Sequence, residues 1–220
     1  MAITCCSCWS LALQAERLTS NSGHTIAGPL LITPRLFGDA RGFFYESWNQ
    51  RSFSAALEAD GQPSVAFVQD NHSRSSRSVL RGLHYQLPPH PQGKLVRCVF
   101  GAILDVAVDL RRSSPTFGQW VAAELSAETH QQLWVPVGFA HGFLTLSEQA
   151  EVLYKTTDFW SKDCECGLRW DDPQLAITWP LAARASAPQP APQAVQPLLA
   201  EKDAAAPSLA EAVAAGDLFP

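Results

Sequence analysis

Between Leu30 and Thr156 the chain repeats one pattern: a short run rich in Val, Ile, Leu, Phe and Trp, then a turn signal, then another run. The runs are Leu30–Thr33, Gly42–Ser47, Ser64–Gln69, Val79–Gln86, Lys94–Phe100, Ile103–Leu110, Trp120–Leu125, Gln131–Val135, Gly142–Leu146 and Ala150–Thr156. Segments of this length, evenly spaced, are too short for helices and restrict the chain to an all-β sandwich, jelly roll or small barrel. Alternation within one run shows the strand period: Leu104, Val106, Val108 and Leu110 share a face, and Asp105, Ala107 and Asp109 share the other. Short helices are expected around Gln50–Ala59 and Ser208–Ala214. A chain of 220 residues suits a single all-β core.

Charge and cysteine usage then exclude several functions. A formal net charge of −5 supplies no basic field for a nucleic-acid polymer, while leaving room for one bound nucleotide held by a few local cations. The six cysteines are Cys5, Cys6, Cys8, Cys98, Cys164 and Cys166. Their crowding at the start is not a secreted disulfide framework, and Cys164-x-Cys166 lacks a second pair at zinc spacing. Reduced thiols and a cytoplasmic setting are the expectation. No apolar stretch is long enough to span a membrane. Residues 1–25 read as a disordered N-terminal extension and 26–180 as the β domain. Residues 181–197, rich in Ala, Pro and Gln, read as a surface insertion, followed by a C-terminal segment, 198–220, that packs back on the barrel.

Two histidines carry the functional signal. His84 stands in Val-Leu-Arg81-Gly82-Leu-His84-Tyr-Gln86, an apolar run whose glycine marks a bulge or a close backbone approach, which would let Arg81 and His84 both turn inward. His141 closes Pro136-x-Gly138-x-x-His141, a pattern that matches the second box of the cupin superfamily. Metal-binding cupins carry His-x-His and a glutamate in the first box. Here that segment is Gly82-Leu-His84-Tyr-Gln86, with one imidazole, too few ligands for a catalytic metal. Metal-free acid–base chemistry by a neutral imidazole is the reading that remains. Arg41, in the turn Asp39-Ala-Arg41-Gly42, is suited to bidentate phosphate recognition. Tyr154 lies in an alternating strand, as packing or as an acid, and Phe159-Trp160 offers a face for a stacked base.

In order along the chain, FGDARGFFYESWNQ, FVQDNHSRSS, VLRGLHYQLPP, QGKLVRCVFG, DVAVDLRRSSPTFGQW, LWVPVGFAHGFLTLS, AEVLYKTT, RWDDP and EKDAAAPSLAEA resemble the dTDP-4-dehydrorhamnose 3,5-epimerase family over about residues 26–180 and 198–220. The resemblance implies a cupin-type jelly roll (a double-stranded β-helix) with short peripheral helices, a homodimer, a dTDP-sugar substrate and no cofactor or metal. It implies His84 as the base, Asp203 as its carboxylate partner with Asp172 as the alternative, Tyr154 as the acid, and Lys94 near the C4 oxygen. It places Arg41, Glu46, Gln69, Asn71, Arg81, His141, Glu165 and Lys202 at substrate-binding positions, and Trp160 where a tyrosine usually stacks on thymine. Relatives with the same barrel epimerise one carbon only, or isomerise the 3,4-keto sugar. Retention of both His84 and Tyr154 favours epimerisation.

Overall fold

The computed structural model describes residues 13–181 and 196–220. The Cys5, Cys6 and Cys8 cluster and most of the Ala/Pro-rich insertion lie outside the described residues. Thirteen strands run along the described chain. They are β1 (Gln14–Thr19), β2 (Thr25–Thr33), β3 (Phe37–Asp39), β4 (Gly42–Phe44), β5 (Gln69–Ser76), β6 (Leu80–Gln86) and β7 (Lys94–Phe100). After these come β8 (Ala102–Asp109), β9 (Trp120–Ser126), β10 (Gln132–Val135), β11 (Phe139–Thr145), β12 (Gln149–Thr156) and β13 (Glu165–Gly167). Three α-helices, α1 (Gln50–Ala59), α2 (Glu201–Ala204) and α3 (Leu209–Ala215), and one turn of 3-10 helix (Lys162–Cys164) sit outside the strands.

The strands form two main antiparallel sheets, β1-β2-β10-β7-β12-β5 and β13-β6-β11-β8-β9, and a separate hairpin, β3-β4. From β5 to β13 consecutive strands fall in different sheets except for the paired β8 and β9, so the chain crosses repeatedly between the sheets in the manner of a jelly roll. Val96, Val121, Leu133, Phe143 and Val152 fill part of the space between the sheets. The outer face of the five-stranded sheet is covered by the C-terminal segment, whose Leu209, Leu218 and Phe219 pack on Val106, Val108 and Leu110. The outer face of the six-stranded sheet carries α1, which buries Phe53 and Leu57 one helical turn apart against Leu30, Leu95 and Trp134. Each such side chain contributes about 1.5–3 kcal/mol of burial.

Local signals explain the helices. Asn49 caps α1 by accepting from the amides of Arg51 and Ser52. Ser208 and Glu211 form a reciprocal capping box on α3, which ends at Gly216 in the left-handed conformation.

Three sequence expectations change. Residues 14–19, assigned to a disordered extension, form strand β1, paired with β2 from Gln14↔Thr33 onward. It is an edge strand and largely exposed, so its polar sequence carries no alternation to read. The run Ser64–Gln69 is not a strand; pairing begins at Gln69 and continues through the polar segment to Ser76. Val65 and Phe67 instead pack with Trp48 against the core beneath α1. The strand expected at Gly42–Ser47 ends at Phe44.

Candidate active site

Strand β6 sets up the site. His84 pairs with His141 across β11 and Arg81 pairs with Phe143, so the ladder slips between them. Gly82 permits this. Its φ is 129°, and a Cβ there would stand 2.5 Å from the Cα of Gly142 and 2.8 Å from the carbonyl oxygen of His141. Simple alternation would put Arg81 and His84 on opposite faces. The bulge turns both toward one cavity of about 250 Å³ between the sheets.

Nε2 of His84 lies 2.6 Å from Oδ1 of Asp203, a carboxylate that can only accept; in the neutral ring this pairing puts the proton on Nε2 and the lone pair on Nδ1. Burial pushes the Asp203 carboxyl up, but His84 and the Gly82 amide outweigh it and hold the group below the ordinary carboxylate range. Asp203 reaches this position because α2 follows Leu198, which bridges to Val79 at the start of β6. On the same turn Lys202 donates to Glu165 of β13 at 2.8 Å. Glu165 is pushed up by burial and pulled down further by Lys202, so its carboxyl lies below the usual value.

Lys94 projects from the facing sheet. Its Nζ donates to the backbone carbonyl of His84 at 3.3 Å, so the ammonium crosses the gap between the sheets. Burial lowers its pKa to about 8 against the opposing pull of Asp105 and Glu165. Tyr154 also comes from the facing sheet, opposite Asn71 on β5. Burial raises its pKa, with Arg81 pulling the other way, so the phenol stays protonated at neutral pH. His141 donates Nε2–H to Oδ1 of Asp105 at 2.7 Å, giving a second imidazole–carboxylate pair deep in the barrel.

An adjoining cavity of about 260 Å³ shares His84, Lys94, Tyr154, Trp160 and Glu165 with the first and adds Gln69 and Asn71. Gln69 ties this end together: its Nε2 donates to Asn71 and its Oε1 accepts from the Trp160 amide. Trp160 is 56 % exposed at the mouth of this cavity. A larger cavity of about 440 Å³ lies elsewhere, beside Trp134, Arg17 and Arg111, and gathers no acid–base set. Its arginines are already paired with Asp60 and Asp109.

The structure thus brings His84, Asp203, Tyr154, Lys94, Gln69, Asn71, Arg81, His141, Trp160, Glu165 and Lys202 around two connected cavities. Arg41 and Glu46 line neither. Arg41 lies at the turn of the β3–β4 hairpin, paired with Asp39, and Glu46 follows that hairpin. Asp172 does not approach His84; it accepts from the amides of Gln174, Leu175 and Leu209 and pins α3 to the barrel. Asp105 and Ser73 were not singled out by sequence reasoning. Asp105 had a visible signal, its place with Asp109 on the polar face of an otherwise apolar strand. Ser73 had none.

Among the described residues no three His, Cys, Asp or Glu side chains gather so as to hold a metal ion. None of their helices is long and apolar enough to cross a membrane.

Comparison with known proteins identifies the family. The sequence model of the dTDP-4-dehydrorhamnose 3,5-epimerase family matches residues 23–211. A dTDP-4-dehydrorhamnose 3,5-epimerase from Pseudomonas aeruginosa is 58% identical over 191 residues, 87% of this chain and 94% of that protein. The crystal structure of a dTDP-6-deoxy-D-glucose-3,5-epimerase from Legionella pneumophila, in complex with dTDP-4-keto-L-rhamnose, superposes with a TM-score of 0.78 at 43% identity. The match covers 94% of this chain and 98% of that one. A 3′-monoepimerase from Streptomyces bikiniensis, in complex with dTDP-quinovose, is similar at a TM-score of 0.74 and 34% identity, covering 87% and 89% of the two chains. The two facing sheets are the cupin-type jelly roll, and the chain belongs to the dTDP-4-dehydrorhamnose 3,5-epimerase family.

Proposed function

We propose that this pocket epimerises dTDP-4-dehydro-6-deoxy-α-D-glucose at C3 and C5, giving dTDP-4-dehydro-β-L-rhamnose, with His84 as base and Tyr154 as acid. The observation that carries the reading is that His84, paired with Asp203 of α2, stands on one sheet and Tyr154 on the facing sheet, with Lys94 reaching between them. C3 and C5 both flank the C4 ketone, and in the D-gluco chair their hydrogens lie on one face of the ring. A single base therefore serves both carbons.

His84 Nδ1 takes the proton, and the electron pair of the broken C–H bond moves onto the C4 oxygen as an enolate. The Lys94 ammonium stabilises that developing charge, a contribution of typically a few kcal/mol. Asp203 keeps the imidazole in the productive tautomer and balances the imidazolium. Tyr154 delivers its phenolic proton to the opposite face of the same carbon, which inverts it. The proton on His84 and the phenolate of Tyr154 are then reset through solvent. Arg81 and Lys202 answer the diphosphate, and Trp160 stacks on thymine, with Gln69 and Asn71 beside it. No cofactor or metal enters these steps, and a cytoplasmic setting belongs to the same reading.

The reading includes a homodimer in which Arg41 and Glu46 serve the site of a second copy. Arg41 is 90 % exposed, on a hairpin that joins neither large sheet, and Phe43 and Phe44 on that hairpin are 61 % and 71 % exposed. Apolar exposure of that kind marks a surface that another protein covers.

Proton NMR with the 4-keto sugar nucleotide in D2O tests the chemistry. Deuterium entering at both C3 and C5 is the expected result, and His84→Ala abolishes it while dTDP binds within a few-fold. Washout at one carbon makes the protein a mono-epimerase or a ketoisomerase, which the product's stereochemistry separates. Saturable dTDP binding without washout leaves a binding protein.

A further inference from the structure

Asp105 is wholly buried, in apolar surroundings. Ile103 and Ala107 flank it on the inner face of β8, and both belong to one cluster with Val96 and Phe143. Val96 shares its face of β7 with Lys94, so the two charged side chains enter the same layer from facing sheets. A carboxylate in such a place is destabilising unless its charge is matched. Oδ1 accepts from His141, and Oδ2 has no hydrogen-bond partner.

Lys94 is the cation left to match it. Of the other cations lining this cavity, Arg81 is bonded to Ser75 and to the Arg74 carbonyl, and Lys202 to Glu165. Lys94 donates to the His84 carbonyl at 3.3 Å and pairs with no carboxylate among the described residues. His84 stands opposite His141 in the β6–β11 ladder, and Asp105 holds the ring of His141. The ammonium and the carboxylate thus stand on either side of one residue pair, close enough for their charges to interact and too far apart to bond. Asp105 exerts the largest of the pulls that favour the Lys94 cation; Glu165 adds to it and Lys202 opposes it. His84, Tyr154 and Asp203 are the remaining titratable groups of the cavity.

We infer that Asp105 is a positioning residue that acts through Lys94: its carboxylate keeps the ammonium charged and leaves the N–H bonds free to turn to the C4 oxygen of the substrate. A carboxylate bonded directly to Nζ would hold the same charge but occupy those N–H bonds. A cavity without one would favour the neutral amine. The inference rests on the proposed placing of Lys94 at the C4 oxygen.

Lysine labelled with 13C at Cε reports the charge without turnover, because the chain holds only Lys94, Lys155, Lys162 and Lys202. Asp105→Asn is expected to lower the Lys94 titration by roughly one pH unit and to leave Lys155 and Lys162 in place. Its dTDP affinity, held within a few-fold, reports an intact fold. The alkaline limb of kcat moves down by the same interval. His141→Gln removes the imidazole but keeps the carboxylate, and leaves the Lys94 titration where it was. A Lys94 titration unmoved by Asp105→Asn, or moved as far by His141→Gln, overturns the inference. A titration that moves while the kcat limb stays put takes Lys94 out of the reaction and leaves the charge link standing. Should Asp105→Asn prove too unstable to titrate, adding Lys94→Met decides. Removing a cation that has lost its counter-charge should raise the urea midpoint by more than Lys94→Met raises it in wild type, and equal gains overturn the link.

Discussion

Oδ1 of Asp203 lies 2.6 Å from Nε2 of His84, although 119 positions separate the two residues in the chain. The adjacent Lys202 reaches Glu165 from the same helical turn. One turn of the C-terminal segment thereby clamps two neighbouring strands, β6 through the imidazole and β13 through the carboxylate. Asp203 is only 3 % exposed, so its charge is balanced by that ring and by the Gly82 amide rather than by water.

Replacing Asp203 with Asn keeps the shape and removes the charge. The amide no longer enforces the tautomer with Nδ1 unprotonated, nor does it balance an imidazolium. The kcat of Asp203→Asn is expected to fall by about 10²–10⁴, with dTDP affinity held within a few-fold. Deuterium washout measured by NMR checks it, and washout at the wild-type rate would remove Asp203 from the mechanism.

Tyr154→Phe separates proton removal from proton return. The phenylalanine preserves packing in the half-buried position, while His84 and Lys94 are untouched. Product formation is expected to drop by roughly 10²-fold or more, and washout into recovered substrate by much less. Following both signals in one sample checks this. Equal losses in the two would mean that Tyr154 also serves the first step.

Much of the fold was legible from local pattern. Helix α1 was visible because Asn49 is a strong cap and Phe53 and Leu57 fall on one face. The central strands were visible because they are apolar. Strand β5 was not, and the reason is the function: the positions that would show strand alternation are Gln69, Asn71, Ser73 and Ser75, polar because they face the cavity or Arg81. Periodicity also could not pair His84 with Asp203. That link came from the family resemblance, and the geometry is a product of the long-range bridge between Val79 and Leu198.

Lys94 ties activity and stability to pH in opposite directions. Its pKa stands at about 8 in the folded protein, against 10.5 for an ordinary lysine. Between those values the unfolded chain binds more protons than the folded one, so this group's contribution to stability rises with pH. The cost of burying its charge is fully present below pH 8 and fades toward 10.5. On the proposed mechanism activity is expected to move the other way, because the cation assigned to the C4 oxygen is lost as pH rises through about 8. Lys94→Met is expected to be nearly inactive throughout and to exceed wild type in stability by a margin that shrinks above pH 8. Denaturant unfolding and kcat, each followed across pH, check the two halves. A margin independent of pH would show that the ammonium does not carry the penalty.

Gly82→Ala tests the bulge. The added methyl would stand 2.5 Å from the Cα of Gly142, and that neighbour is backbone, which cannot swing aside. The φ of 129° adds strain of its own. A loss of roughly 2–4 kcal/mol in unfolding free energy is expected, with activity falling as Arg81 and His84 lose their common orientation. Denaturant midpoint and deuterium washout measure the two effects. Wild-type stability in this variant would show that β6 and β11 do not approach as closely as described.

The shared-site arrangement predicts complementation between two inactive proteins. If Arg41 serves the second copy, an Arg41→Ala chain retains a sound His84 but lacks the arginine donated to it. A His84→Ala chain has the reverse defect. In a mixed dimer one site collects both lesions, and the other collects His84 from one chain and Arg41 from its partner. Random exchange of equal amounts makes half of the dimers mixed, with one working site in two, so activity should recover to about a quarter of wild type. Mixing the purified variants under conditions that allow subunit exchange, then measuring turnover against time, provides the check. Recovery on the timescale of exchange fits a hairpin that acts across the interface. No recovery, in a preparation shown by light scattering to be dimeric and by mass labelling to have exchanged, would return Arg41 to its own chain's surface and leave the diphosphate to Arg81 and Lys202.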